Sequence, residues 1–212
     1  MDSSGKETQT SLLFERMRDR MCRVEFPNYK SEASALVRMY LNGEFSDNPD
    51  GVDPYTASMF FACDRYASYV TEEWGEIYRG GGVVLADRYT TSNMIHQGCK
   101  FDDKDKRDEY LKWLYDLEYI KSGLPVPDLV IFLDLPLDNV KETICRRQNK
   151  ITGGGADIHE RNYEYLRKAY NTAAELAAIY GWQRVDCLRD GEYRTRDDIA
   201  EEIYNIVTGC VL

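Results

Sequence analysis

Five consecutive apolar residues, Leu129-Val130-Ile131-Phe132-Leu133, end on Asp134. A strand wetted on one face alternates apolar and polar side chains. An unbroken run therefore points to a strand buried on both faces, as in a parallel sheet covered by helices. Val83-Val84-Leu85-Ala86, which follows three glycines, repeats the pattern and ends on Asp87. Cys22-Arg23-Val24-Glu25-Phe26 and Arg184-Val185-Asp186-Cys187-Leu188 read as two weaker strands. Helical periodicity covers 32–42, 54–79, 103–121, 137–149, 160–180 and 196–208, with Pro54 after Asp53 as a start signal. Strands alternating with helices predict an α/β fold, a parallel sheet with helices on both faces. No linker or repeat divides the 212 residues, so a single domain over 1–212 is expected.

The net charge of −10 argues against a nucleic-acid surface, because a duplex binder needs a basic footprint. It leaves room for small anionic ligands, which need only a local cluster of Arg and Lys. Six cysteines are scattered without C-x-x-C pairs, which suggests neither a zinc site nor a disulfide framework. No apolar stretch approaches the roughly 18 residues of a membrane span, and no signal-peptide pattern opens the chain. These features lead us to expect a reduced, cytoplasmic protein with no membrane partner.

Asp2-Ser3-Ser4-Gly5-Lys6-Glu7-Thr8-Gln9 runs directly into the helical pattern Leu12, Leu13, Arg16, Met17. It matches the second half of a phosphate-binding loop, G-x-x-x-x-G-K-[ST]. Gly5 allows backbone N–H groups to face phosphate oxygens, Lys6 supplies positive charge, and the following helix adds its dipole. The same fragment also reads as a polar tail.

Later segments carry further chemistry. Asp87-Arg88-Tyr89 sits at the C-terminal end of a strand, where ligands bind in open α/β sheets. There Asp87 can hold magnesium-bound water and Arg88 a phosphate; a plain ion pair finishing the strand is the alternative. Phe61 and Arg65 share one helix face at i, i+4, an arrangement that can stack a base and bond its edge, or simply join the core. Arg146-Arg147-Gln148-Asn149-Lys150, a run of glycines and Asp157-Ile158-His159-Glu160-Arg161 resemble a lid over phosphates, or a solvated turn.

Taken in order, these segments resemble the thymidylate kinase family of P-loop nucleoside-monophosphate kinases. The resemblance rests on D-S-S-G-K-E-T-Q, F-P-N-Y (Phe26–Tyr29), R-M-Y-L-N-G-E-F (Arg38–Phe45) and M-F-F-A-C-D-R (Met59–Arg65). It continues through D-R-Y-T-T-S-N-M-I-H-Q-G (Asp87–Gly98), P-D-L-V-I-F-L-D-L-P (Pro127–Pro136) and the lid ending D-I-H-E. It implies a P-loop NTPase-type fold with a short lid at about 146–160, and transfer of the ATP γ-phosphate to dTMP to give dTDP. ATP and Mg²⁺ are the implied cofactors, and a homodimer the implied assembly.

By the same resemblance, Ser3, Ser4, Gly5, Lys6, Glu7 and Thr8 would bind ATP, with Lys6 bridging its phosphates. Asp2 would contact the acceptor sugar. Phe61 would stack on thymine, Arg65 would donate to its O4, and Arg88 would grip the acceptor phosphate near Phe26 and Tyr29. Asn93 and Gln97 would lie along the base pocket, with His96 where the family often carries a Tyr that crowds a ribose 2′-OH. Asp87 and Thr8 would serve the metal. The P-loop carries Ser at the position where some members have Arg, so Arg146, Arg147 or Arg161 of the lid would join Lys6 and Arg88 in stabilising the transferring phosphoryl group.

Two departures are expected to matter. Glu7 stands where a P-loop usually offers Ser or Thr to the metal. The resemblance also places a strand ahead of the loop, between the strands ending at Asp87 and Asp134, and so implies residues upstream of Met1. Other readings are a nucleoside kinase using Glu25 as base for a 5′-hydroxyl, a non-catalytic nucleotide-binding paralogue, and an adenylate or cytidylate kinase.

Overall fold

The computed structural model describes residues 4–137, 139 and 163–211. The proposed lid at 146–160, with Arg146, Arg147 and Arg161, lies outside these residues, as do Asp2 and Ser3.

The chain begins with helix α1 (Lys6–Met17) and strand β1 (Met21–Glu25), then a 3₁₀ turn (Glu32–Ser34) leading into α2 (Ala35–Asn42). Helices α3 (Pro54–Thr71) and α4 (Glu73–Arg79) precede β2 (Val83–Asp87) and α5 (Thr90–His96). Helix α6 (Lys104–Tyr115) passes into a π-helical turn (Asp116–Lys121) before β3 (Ile131–Asp134). Helix α7 (Tyr163–Tyr180), β4 (Gln183–Asp186), the short β5 (Leu188–Arg189) and β6 (Glu192–Tyr193), and α8 (Arg196–Cys210) complete the order.

The parallel strands occur as two pairs. β1 pairs with β2 in register Met21 to Val83 through Glu25 to Asp87, and β3 pairs with β4 from Ile131–Gln183 to Asp134–Asp186. Strand alternation divides the first pair between two cores. Met21, Val83 and Leu85 pack with Leu13 and Met17 of α1 in the large core, which also holds Phe132, Leu133, Ala169, Ala173, Val185, Ile199 and Ile203. Cys22, Val24, Val84 and Ala86 face the opposite way, onto Phe26, Tyr69 and Trp74. Helices thus cover both faces, as expected of an α/β fold.

The parallel sheet is interrupted between β2 and β3, where the resemblance places the strand that leads into the phosphate loop. Among the described residues, β2 pairs only with β1 and β3 only with β4, and the residues of β2 and β3 line the two sides of one cavity. This slot has a volume of ≈ 750 Å³; Leu13, Ile203, Val207 and Val211 are also among its apolar walls. The strand edges bordering it have no ladder partner among the described residues, a condition that globular sheets ordinarily avoid.

Three other elements differ from expectation. The helix foreseen over 54–79 breaks at Glu72, which is extended at φ −107° and ψ 156°. The break lets Trp74 fold back, its Nε1–H donating to Ser68 Oγ at 2.8 Å. Gly75 is required there, because a Cβ would meet the Tyr69 carbonyl oxygen at 1.9 Å. Helix α5 carries no periodic signal, because Thr, Ser and Asn break its apolar spacing, and the helix expected over 103–121 ends at Tyr115 and passes into the π-helical turn.

Candidate active site

The structure assembles two neighbouring regions at the C-terminal ends of β1 and β2. In the first, Gly5 starts α1 with a left-handed backbone (φ 87°, ψ 13°), and no side-chain hydrogen bond caps the helix. Such a start presents backbone N–H groups and the positive end of the helix dipole to an anion. Lys6, Glu7 and Thr8 form the first turn, while Ser4 is buried with its carbonyl oxygen accepting from the Cys187 thiol at 3.8 Å. Burial pushes that thiol up to about 11. Lys6, Asp87 and Arg88 all line the mouth of the slot, so the loop lysine and the strand-end pair are brought together.

Asp87 is buried and lies 3.9 Å from the Arg23 guanidinium, which also donates to Ser11 Oγ at 2.9 Å. Arg88 follows with a positive φ of 66°. A non-glycine residue in this region costs about 1–2 kcal/mol, and such strain clusters at functional sites. Mg²⁺ needs only one or two carboxylates besides substrate oxygens, a requirement that Asp87 can meet. Thr8 adds a hydroxyl in the first turn of α1, and among the described residues no group of three acidic, His or Cys side chains forms a closed metal cage.

The second region is a narrower cavity opening beside the first. Eight residues singled out from the sequence line it: Phe26, Tyr29, Phe61, Arg65, Arg88, Asn93, His96 and Gln97. They come from the β1 exit loop, α3, the β2 exit and α5, and only the tertiary fold could unite them. Pro27, Leu41, Tyr89 and Ser92 complete the wall; the Phe26–Pro27 peptide is cis. Arg88, Tyr89, Ser92 and His96 border both regions. The free volume, ≈ 70 Å³, is well below that of a nucleotide-sized pocket, and the half-buried Tyr29 and Phe61 stand in its wall.

The wall is held by a polar network. Arg65 is buried, and its Nε and Nη2 donate to the two carboxylate oxygens of Glu118 at 2.7 and 2.6 Å. Although burial works against its charge, the field of Glu118 and the hydrogen bonds to it hold the Arg65 pKa above its ordinary value. Thr90 Oγ1 donates to Glu118 Oε2 at 2.7 Å. Asp64 Oδ2 accepts from the Asn28 backbone N–H at 2.9 Å and pins the F-P-N-Y turn to α3, while burial pushes its carboxyl pKa up. Arg38 Nη1 donates to the carbonyls of Tyr29 and Ser31 at 3.0 and 2.8 Å. Gln97 Nε2 reaches Tyr40 Oη at 3.4 Å, while its Oε1 is buried without a hydrogen-bond partner.

Phe61 packs edge-on to Tyr40, with ring centroids 6.1 Å apart, so the core reading and the cavity reading of this residue both hold. His96 is buried beside Tyr165, whose hydroxyl donates to the His96 carbonyl at 2.7 Å. Glu118, Thr90, Arg23 and Tyr165 escaped the sequence reading. Glu118 in D-L-E-Y-I-K looks like any surface helix charge, and nothing local marks it as buried.

A model of the thymidylate kinase family, described as Thymidylate kinase, matches residues 1–192. The probable thymidylate kinase of Pyrobaculum aerophilum is 30% identical over 207 residues, which cover 98% of this chain and 94% of that protein. The thymidylate kinase of Mycobacterium tuberculosis is 28% identical over 186 residues, covering 86% of this chain and 84% of that one. A solved thymidylate kinase from Candida albicans superposes with a TM-score of 0.69 at 21% identity, covering 99% of this chain and 88% of that chain. With the family matched over most of its length and its P-loop α/β fold shared with a solved relative, this chain belongs to the thymidylate kinase family.

Proposed function

We propose that the protein transfers the γ-phosphoryl group of ATP to the 5′-phosphate of dTMP, giving dTDP. One observation carries the choice of acceptor: the described wall of the narrow cavity holds two arginines, Arg65 and Arg88, and no carboxylate. A hydroxyl acceptor needs a general base, whereas a phosphate oxygen is already anionic and needs only positive charge and alignment. Glu25, the base that a nucleoside kinase would require, is not among the described residues of that wall.

In this reading the ATP phosphates lie at the start of α1, on the first-turn N–H groups and Lys6, with Ser3, Ser4, Gly5, Glu7 and Thr8 around them. Arg88 stands between the two regions and grips the acceptor phosphate, its strained backbone fixing the approach. Phe61 stacks on the base, Arg65 donates to O4, and the unpartnered Gln97 Oε1 accepts the N3–H of a thymine-type imide. Phe26, Tyr29, Asn93 and His96 close the sides, and Asp2 meets the sugar. Asp87 would hold Mg²⁺ through its water shell, with Thr8 at the other side. The ion, when bound, would neutralise charge on the transferring group. Arg146, Arg147 and Arg161 of the lid would add to that charge.

A homodimer is supported by an exposed stripe on α3. Met59, Cys63, Tyr66 and Val70 recur at helical spacing and are all exposed. No helix among the described residues is long and apolar enough to cross a membrane. The described cysteines are free thiols, which supports a reducing, cytoplasmic setting.

The deciding experiment is ADP release with Mg-ATP and dTMP, dUMP, thymidine, CMP and AMP in parallel. Turnover with dTMP and not thymidine is expected. Preference for thymidine would move the assignment to a nucleoside kinase, and ATP binding without turnover to a non-catalytic paralogue.

A further inference from the structure

Arg65 lines the narrow cavity but owes its orientation to a residue behind it. Glu118 is fully buried, lies in the π-helical turn Asp116–Lys121, and engages Arg65 through both carboxylate oxygens. Thr90, from the first turn of α5, donates to Glu118 Oε2 and fixes the carboxylate in turn. The two hydrogen bonds take Nε and Nη2, so Nη1 is the guanidinium nitrogen outside that pairing. A π-helical turn in an otherwise regular helix is uncommon and recurs at functional sites. Here it sets a carboxylate against an arginine contributed by another helix.

We propose that Glu118 is a positioning residue for base selectivity: by clamping Nε and Nη2 it presents Arg65 Nη1 to the acceptor base as a rigid, charged donor. This inference rests on the dTMP reading of the cavity. A fixed donor favours a pyrimidine with a 4-keto oxygen. It disfavours one with a 4-amino group, which would set donor against donor. A free arginine would swing aside and accept either. Rigidity therefore supplies the discrimination, and Glu118 supplies the rigidity.

The test compares kcat and KM for dTMP and dCMP in the full chain, wild type against Glu118→Gln and Glu118→Asp. KM for ATP and Tm are followed alongside. For Glu118→Gln the expected result is about a tenfold or greater rise in KM for dTMP and a comparable loss of preference over dCMP. Its kcat and KM for ATP stay within about threefold, and Glu118→Asp falls between the two. Because a lone buried charge endangers folding, the double variant Arg65→Met/Glu118→Leu replaces the pair with apolar side chains. It should fold and show the same loss of preference as Glu118→Gln, since the two residues act as one unit.

A lowered Tm with unchanged dTMP-over-dCMP preference in Glu118→Gln would overturn the proposal, as would a double variant that keeps the preference. A wild-type protein that turns over neither nucleotide would instead refute the function assignment, and this inference with it.

Discussion

The cavity around Arg65 and the slot between β2 and β3 lie side by side and are finished very differently. Behind the cavity wall Arg65 has Glu118, Glu118 has Thr90, and Asp64 Oδ2 accepts from the Asn28 backbone N–H, while Asp64 Oδ1 is buried without a hydrogen-bond partner. The slot is the larger space, ≈ 750 Å³, walled mainly by apolar side chains with Lys6, Asp87 and Arg88 at its mouth, and bordered by two strand edges without ladder partners among the described residues. One region is ordered by directional polar contacts, the other by what apolar area its two halves can cover. Side chains that must recognise a small ligand need the first kind of support. A sheet interior needs only a continuous ladder and apolar faces.

That contrast can be broken by experiment. The largest effect is expected at the mouth of the slot: Lys6→Ala should lower ADP release with dTMP by about 10²–10³-fold, because it removes a preorganised charge from the proposed phosphate site. Retained turnover would detach the slot mouth from the chemistry. Next, Phe61→Ala should raise KM for dTMP about tenfold with kcat little changed, since base–aromatic stacking is worth ~1–3 kcal/mol. An unchanged KM would return Phe61 to the core beside Tyr40.

The smallest effect concerns the region of directional polar contacts and carries a definite sign. Lys100 donates to Val52 O at 3.0 Å and Tyr40 Oη at 3.2 Å, and burial pushes its pKa down to about 8, against an ordinary 10.5. Between those values the unfolded chain binds more protons at this site than the folded one. Its contribution to folding stability therefore rises with pH across the window from about 8 to 10.5. Lys100→Met should remove that rise, on the order of 1 kcal/mol, in the difference between the wild-type and variant stability curves. Parallel curves would show that Lys100 stays solvated.

Much of the narrow cavity was legible from the sequence because its residues fall in short ordered motifs. F-P-N-Y supplied Phe26 and Tyr29, F-F-A-C-D-R supplied Phe61 and Arg65, and the segment from Asp87 to Gly98 supplied Arg88, Asn93, His96 and Gln97. Each motif follows or forms an element whose period is visible in the chain. Glu118 was not legible. Its partner lies 53 positions away, and burial of a charge leaves no mark on local hydropathy. The break at Glu72 was hidden likewise, since apolar spacing continues across it and only the contact of Gly75 with Tyr69 requires the turn.

The sequence by itself determined the α/β class, because uninterrupted apolar runs ending in Asp fit little else than buried parallel strands. It also determined the residue types at the start of α1 and along the motifs that line the narrow cavity. The tertiary structure alone decided that Arg65 is clamped rather than free and that Arg88 borders both regions. The reason is physical: periodicity and turn chemistry are local properties, whereas pairing of buried charges and closure of a sheet depend on contacts between residues far apart in the chain.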